Sequence, residues 1–362
     1  MIFIYNYAVK REGSQKRMND EKTKRNVNIW KFLQKLPAGT MFVPLIIGAI
    51  ITTISKGIFK FDLWASLGNP MKDMFSSTGQ MLLIGLMLFC TGTQLKLGEL
   101  KDAFKRGVLL IIVRLVVAYI LCALFYLAFG LDGFWGISFL VFTCAVTSAN
   151  AALYMGIISP FGDNSDKASF GIMLIFSMPM LPLLFFAFYS NGGITTANIM
   201  QVISLLIPFI LGMLLGNLDN DIRRVFAGGN AIILPFLGFE FGSTINLVDA
   251  FQKIPQGILL SIIFFIIVIG PSFLVERFIM KRPGYASIAS GSLAGVALSI
   301  PLMVDQSTFG AYANNAIAIL AFVLAITNIL CPFLTRWNNK YFQKKHPEKA
   351  KEIWPELNNE NN

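Results

Sequence analysis

Apolar stretches of about twenty residues recur along this chain, set apart by short clusters of glycine, proline and charged residues. Ten can be marked, at roughly residues 37–54, 79–96, 107–129, 134–158, 169–189, 199–217, 230–247, 257–279, 284–304 and 313–334. At about 1.5 Å per residue, each is long enough to cross the roughly 30 Å of hydrocarbon in a bilayer. The pattern predicts an all-α membrane protein of ten transmembrane helices.

Two stretches carry an interruption. In the fourth, Thr147, Ser148 and Asn150 crowd together where lipid would demand apolar residues. Unpaired polar groups and irregular backbone are tolerated at that depth only inside protein or against a wet cavity, so this helix is expected to be broken there. In the ninth, Val296-Ala297-Leu298-Ser299-Ile300-Pro301 is expected to break at Pro301.

The two interruptions lie 150 positions apart, and the spacing recurs. Phe89-Cys90-Thr91-Gly92-Thr93-Gln94-Leu95 aligns with Phe239-Glu240-Phe241-Gly242-Ser243-Thr244-Ile245, Gly107 with Gly257, and Pro182 with Pro332. Each half therefore holds five spans, and an odd number makes the second copy enter from the opposite side, giving two inverted five-helix repeats. The chain divides into a basic tail (1–35), a first repeat (36–189), a second repeat (190–336) and a C-terminal tail (337–362). Lys and Arg concentrate in the tails and on alternate sides of the spans, which places both termini in the cytoplasm.

Composition narrows the classes further. With 55% hydrophobic and only 14% charged residues, a soluble globule is excluded. The net charge of +10 flanks the spans, so it reads as topology and not as a nucleic-acid surface. The four cysteines sit in or beside apolar runs as reduced packing residues, and the one histidine, His346, is in the C-terminal tail. No metal site or cofactor is expected, and the absence of nucleotide-binding and catalytic motifs argues against ATP-driven transport and enzymatic chemistry. No cleaved targeting segment is expected, and Met18 is an alternative start to Met1.

Four segments in order, Leu36-Pro37-Ala38-Gly39-Thr40-Met41, Leu215-Gly216-Asn217-Leu218-Asp219, Gly242-Ser243-Thr244-Ile245-Asn246-Leu247 and Gly291-Ser292-Leu293-Ala294-Gly295-Val296-Ala297, resemble the signature of the 2-keto-3-deoxygluconate permease family. The resemblance covers about residues 36–336. It implies a secondary carrier of a bacterial inner membrane, taking up a small sugar-derived keto acid with a co-transported proton. It also implies the wider superfamily's architecture, in which spans one, two, six and seven form a panel and the others a core with crossed, broken spans four and nine. The alternatives are a sodium-coupled organic-anion symporter of the same superfamily and, from another class, a non-transporting membrane sensor or scaffold.

Candidate chemistry follows from the broken segments and the rare ionisable residues. Thr147, Ser148 and Asn150, with Ser299 opposite, are candidates to bind the hydroxyl and keto oxygens of the organic anion. Exposed N-terminal ends of half-helices would offer N–H donors to its carboxylate. The competing reading is that these side chains only tie helices together. Gln94, Thr244 and Asn246 either line the panel side of the cavity or end their spans. Glu240, set among Phe236, Phe239 and Phe241, is a candidate proton carrier, while Asp305 with Gln306 would either hold sodium or cap a helix. Arg114 is a carboxylate partner or a structural group.

Overall fold

The computed structural model describes residues 28–353, apart from 37–38, 99–106, 159–161, 163, 191–192 and 194. Most of the expected N-terminal tail, the choice between Met1 and Met18, the signature residues Pro37 and Ala38, and the end of the C-terminal tail lie outside the described residues. The principal helices are α1 (Gly39–Thr52), α2 (Ser77–Gln94), α3 (Gly107–Phe129), α4 (Phe139–Thr147), α5 (Ala151–Ile158), α6 (Asn164–Phe176), α7 (Met180–Ala187), α8 (Thr196–Leu218), α9 (Gly229–Ser243), α10 (Ile254–Phe264), α11 (Tyr285–Ala289), α12 (Ile300–Met303) and α13 (Gln306–Lys345).

Among the described residues, eight helical segments are long and apolar enough to cross a membrane. The two expected spans outside that set are informative. The stretch 79–96 folds as α2, whose ends carry Ser77, Gln80, Thr93 and Gln94 and lower its hydropathy. The stretch 284–304 forms no single long helix but α11, a 3-10 turn at Gly295–Leu298, and α12. At 40 residues α13 is about 60 Å long, and it continues through residues 337–345, the first part of the segment expected as a tail.

Burial shows why these helices need a bilayer. On α3, Leu109, Ile112, Val116, Ile120, Leu124 and Leu127 are exposed at helical spacing, whereas Ile111, Arg114, Ala118 and Cys122 are buried on the other side. The apolar stripe faces outward, the reverse of a water-soluble helix.

Four helices, α1, α2, α8 and α9, pack together through close backbone approach. On α9, a Cβ at Gly242 would lie 2.0 Å from the Leu45 carbonyl oxygen, and one at Gly238 would lie 2.2 Å from that of Met41. On α8, Gly212 and Gly216 approach the Phe89 and Thr93 carbonyls in the same way, at 2.1 and 2.3 Å. Small residues four apart let helices meet where lipid provides no hydrophobic drive. In the remaining helices, α13 touches α4, α5, α10, α11 and α12, so both broken segments are braced on it.

Candidate functional site

The first break is written by an N-cap residue inside an apolar run. Helix α4 ends at Ser148, whose backbone is extended (φ −74°, ψ 144°). Asn150 then starts α5, its Oδ1 accepting the Leu153 N–H at 3.0 Å, a geometry that favours asparagine at a helix start. The second break differs from expectation. Pro301 sits in the first turn of α12, where a missing N–H costs nothing, and the interruption is the irregular stretch from Ser290 to Ala294.

The breaks satisfy each other's freed backbone. The Ala294 N–H donates to Ser148 Oγ at 3.0 Å, and Asn150 Nδ2 donates to the Leu293 carbonyl at 3.2 Å. The Leu293 N–H is taken by Thr327 Oγ1 of α13 at 3.1 Å. Arg114, on α3, donates to the carbonyls of both Ser148 and Ser290, so one guanidinium closes the ends of α4 and α11 together. Its structural role outweighs a carboxylate partnership, since no described carboxylate pairs with it.

Beside this crossing lies a cavity of about 380 Å³. Its polar lining is Asn150, Asn328, Asn230, Thr91, Thr40 and Ser177, with no charged side chain among the described residues. Ala151 and Ala152 also line it, so the start of α5, whose first N–H groups have no intrahelical acceptor, borders the cavity.

Of the residues proposed from sequence, Asn150 alone lines this cavity. Ser148 lies in the break but is engaged by Ala294. Thr147 donates back to the Thr143 carbonyl at 2.7 Å and Ser299 to that of Val296 at 2.6 Å, both buried. Gln94 bridges Thr93 Oγ1 and the Arg223 carbonyl, Thr244 donates to the Phe241 carbonyl, and Asn246 accepts the Val248 N–H, all at span ends. Asp305 caps α13, accepting from Ser307 N–H and from the hydroxyls of Ser307 and Thr308. Gln306 donates to the Pro301 and Val304 carbonyls.

Sequence reasoning missed Asn328, Asn230, Thr91, Thr40 and Ser177. A signal was present, because the 150-residue spacing also pairs Gln80 with Asn230 and Ser177 with Thr327.

Four acidic or basic side chains among the described residues are buried: Arg114, Asp166, Glu240 and Glu276. Asp166 pairs with Arg282 at 2.7 Å and accepts from Tyr285 Oη at 2.6 Å. Glu276 accepts from Ala286 N–H, Ser287 N–H and Ser287 Oγ. Glu240, wholly inaccessible on α9, differs: among the described residues neither carboxylate oxygen receives a well-formed hydrogen bond, the backbone of Gln80 being the donor at hand, and the side-chain oxygen of Gln80 is equally unpartnered.

A multi-pass helical membrane protein with a cavity held between two interrupted helices is the class this fold and site define. The sequence pattern of the 2-keto-3-deoxygluconate permease family matches residues 30–344, and the chain belongs to that family. It is 29% identical over 310 residues to the 2-keto-3-deoxygluconate permease of Enterobacter sp. (strain 638), covering 84% of this chain and 91% of the relative. It is 29% identical over 327 residues to that of Pectobacterium atrosepticum (88% and 100%) and 28% over 322 residues to that of Escherichia coli K12 (87% and 95%).

Proposed function

We propose that the protein is a secondary carrier importing 2-keto-3-deoxygluconate, or a sugar-derived keto acid close to it, with protons across a bacterial inner membrane. The observation that carries this reading is the cavity at the crossing of the two breaks, walled by neutral donors and acceptors and by the N-terminal end of α5. Such a lining suits a small hydroxylated acid. The relatives' activity fits the same cargo.

Ten spans in two inverted repeats remain the preferred architecture, with both termini cytoplasmic. Its support is that positions 150 apart play matching or mutual parts. Gly92 and Gly242 each close on the backbone of a partner helix, and the Arg114 guanidinium stands 5.8 Å from the centre of the Phe264 ring.

An anion entering against an inside-negative potential works against roughly 2.3 kcal/mol per charge per 100 mV, so a cation must accompany it. Protons are favoured over sodium. Asp305 spends its oxygens on capping, and Gln306 donates into carbonyls that a sodium ion would need. An unpaired buried carboxylate costs several kcal/mol, and a proton on Glu240 removes that cost. Glu240 is ten residues from Asn230 along α9, about 15 Å, so it acts through the helix and not by touching cargo.

The test is uptake of labelled 2-keto-3-deoxygluconate into proteoliposomes. An inward pH gradient is expected to drive accumulation, and a sodium gradient alone is not. Accumulation driven by sodium alone would replace the proton, and no saturable uptake under either gradient would overturn the transport reading.

A further inference from the structure

Asn328 on α13 is 3% exposed and lines the cavity beside Asn150. A chain of bonds fixes how its carboxamide faces. Asn150 Oδ1 accepts the Leu153 N–H, which turns Asn150 Nδ2 toward the Leu293 carbonyl and toward Asn328 Oδ1, 3.3 Å away. Asn328 Nδ2 is left with no protein acceptor among the described residues. The complementary case is on α9. Asn230 Nδ2 donates to Thr91 Oγ1 at 2.9 Å, while the Thr91 hydroxyl is committed to the Met87 carbonyl. Asn230 Oδ1 is buried and receives no hydrogen bond among the described residues. The cavity wall therefore holds an unused donor on α13 and, on a side chain that also lines the cavity, an unsatisfied acceptor on α9 that sits just beneath the surface and meets cargo when the Asn230 side chain turns.

Building on the function proposed above, we propose that this pair of asparagines sets the orientation of the cargo. Asn328 Nδ2 donates to the acid end, and Asn230 Oδ1 accepts from a hydroxyl of the polyol end. The acid end belongs at Asn328 because its partner Asn150 caps α5, whose free N–H groups and positive dipole end lie there. A carboxylate has no hydrogen to give Asn230 Oδ1, whereas a hydroxyl does. An acceptor left buried without a donor keeps its full desolvation penalty, so the polyol contact discriminates between acids with and without the tail.

The test uses wild-type and variant carriers in proteoliposomes, with labelled 2-keto-3-deoxygluconate as substrate and pyruvate as competitor. Pyruvate carries the acid and keto groups but no polyol. Asn230→Leu is expected to raise KM for the sugar acid about tenfold and leave the inhibition constant of pyruvate unchanged. Asn328→Asp keeps an oxygen for Asn150 but removes the donor and adds repulsion, so it should weaken both ligands about tenfold. If that variant does not reach the membrane, Asn328→Leu reads the same donor with the same expectation. A purely structural role would move both ligands alike in Asn230→Leu, and that result overturns the orientation. Wild-type uptake that pyruvate in large excess fails to inhibit, or an Asn328 variant that spares pyruvate, also overturns it. A wild-type protein that shows no saturable uptake defeats the transport reading instead.

Discussion

Arg114→Met is expected to insert in the membrane yet unfold at a markedly lower temperature in detergent and lose transport by about tenfold or more. The side chain is 4% exposed and donates to the carbonyls of Ser148 and Ser290, the last acceptors of α4 and α11. Breaking a helix inside a bilayer frees such carbonyls, and each one stranded without a donor costs roughly 1–3 kcal/mol. The guanidinium also sits where two helix C-termini concentrate partial negative charge, which balances a cation that no described carboxylate neutralises. Arg114→Lys should fall between wild type and Arg114→Met, because one ammonium keeps the charge but loses the planar fork that spans both carbonyls. Thermal unfolding followed by tryptophan fluorescence, paired with uptake, reads both effects. A wild-type midpoint in Arg114→Met would mean the breaks hold themselves together.

Glu240→Gln should retain substrate binding and counterflow exchange while abolishing accumulation driven by a pH gradient. Glutamine copies the shape of the protonated acid and cannot release the proton. Asp166 and Glu276 have their oxygens occupied, whereas among the described residues neither oxygen of Glu240 receives a well-formed hydrogen bond. Asp305→Asn is the comparison. Asp305 stands outside the spanning helices, and hydrogen bonds from Thr308 and then Ser307 hold its carboxyl below the usual carboxylate range, so it stays ionised near neutral pH. Its replacement should weaken the cap of α13 by about 1 kcal/mol and leave coupling intact. Proton-driven accumulation that survives Glu240→Gln and disappears in Asp305→Asn would move the coupling group to the start of α13.

The position of the first break was legible because it is made of polar residues in an apolar run, and a bilayer tolerates that only for a reason. The second was located less well. Pro301 drew attention, but a proline in the first helical turn is harmless. The true interruption includes Gly291, where an added Cβ would lie 1.9 Å from Ile269 Cδ1. Small residues fitted to a neighbour leave a fainter mark in the sequence than Thr147, Ser148 and Asn150 do, although Ser290 and Ser292 stand there. Asn150 was found for its place in the break. Asn328 and Asn230 were missed because a single amide in a span carries far less insertion penalty than a charge and does not announce itself. Gln94, Thr244 and Asn246 show the converse, since polar residues at span ends have backbone groups to satisfy and need no cargo.

On the function proposed above, cargo binds where the two breaks meet. This placement is tested most directly by an experimental structure of the protein in lipid nanodiscs saturated with 2-keto-3-deoxygluconate. Density for one sugar acid is expected in the cavity, with its carboxylate beside Asn328 and the start of α5 and a hydroxyl at Asn230. Ligand density at another place, such as beside Glu240 or Asp305, with this cavity empty at a concentration that saturates uptake, would contradict it.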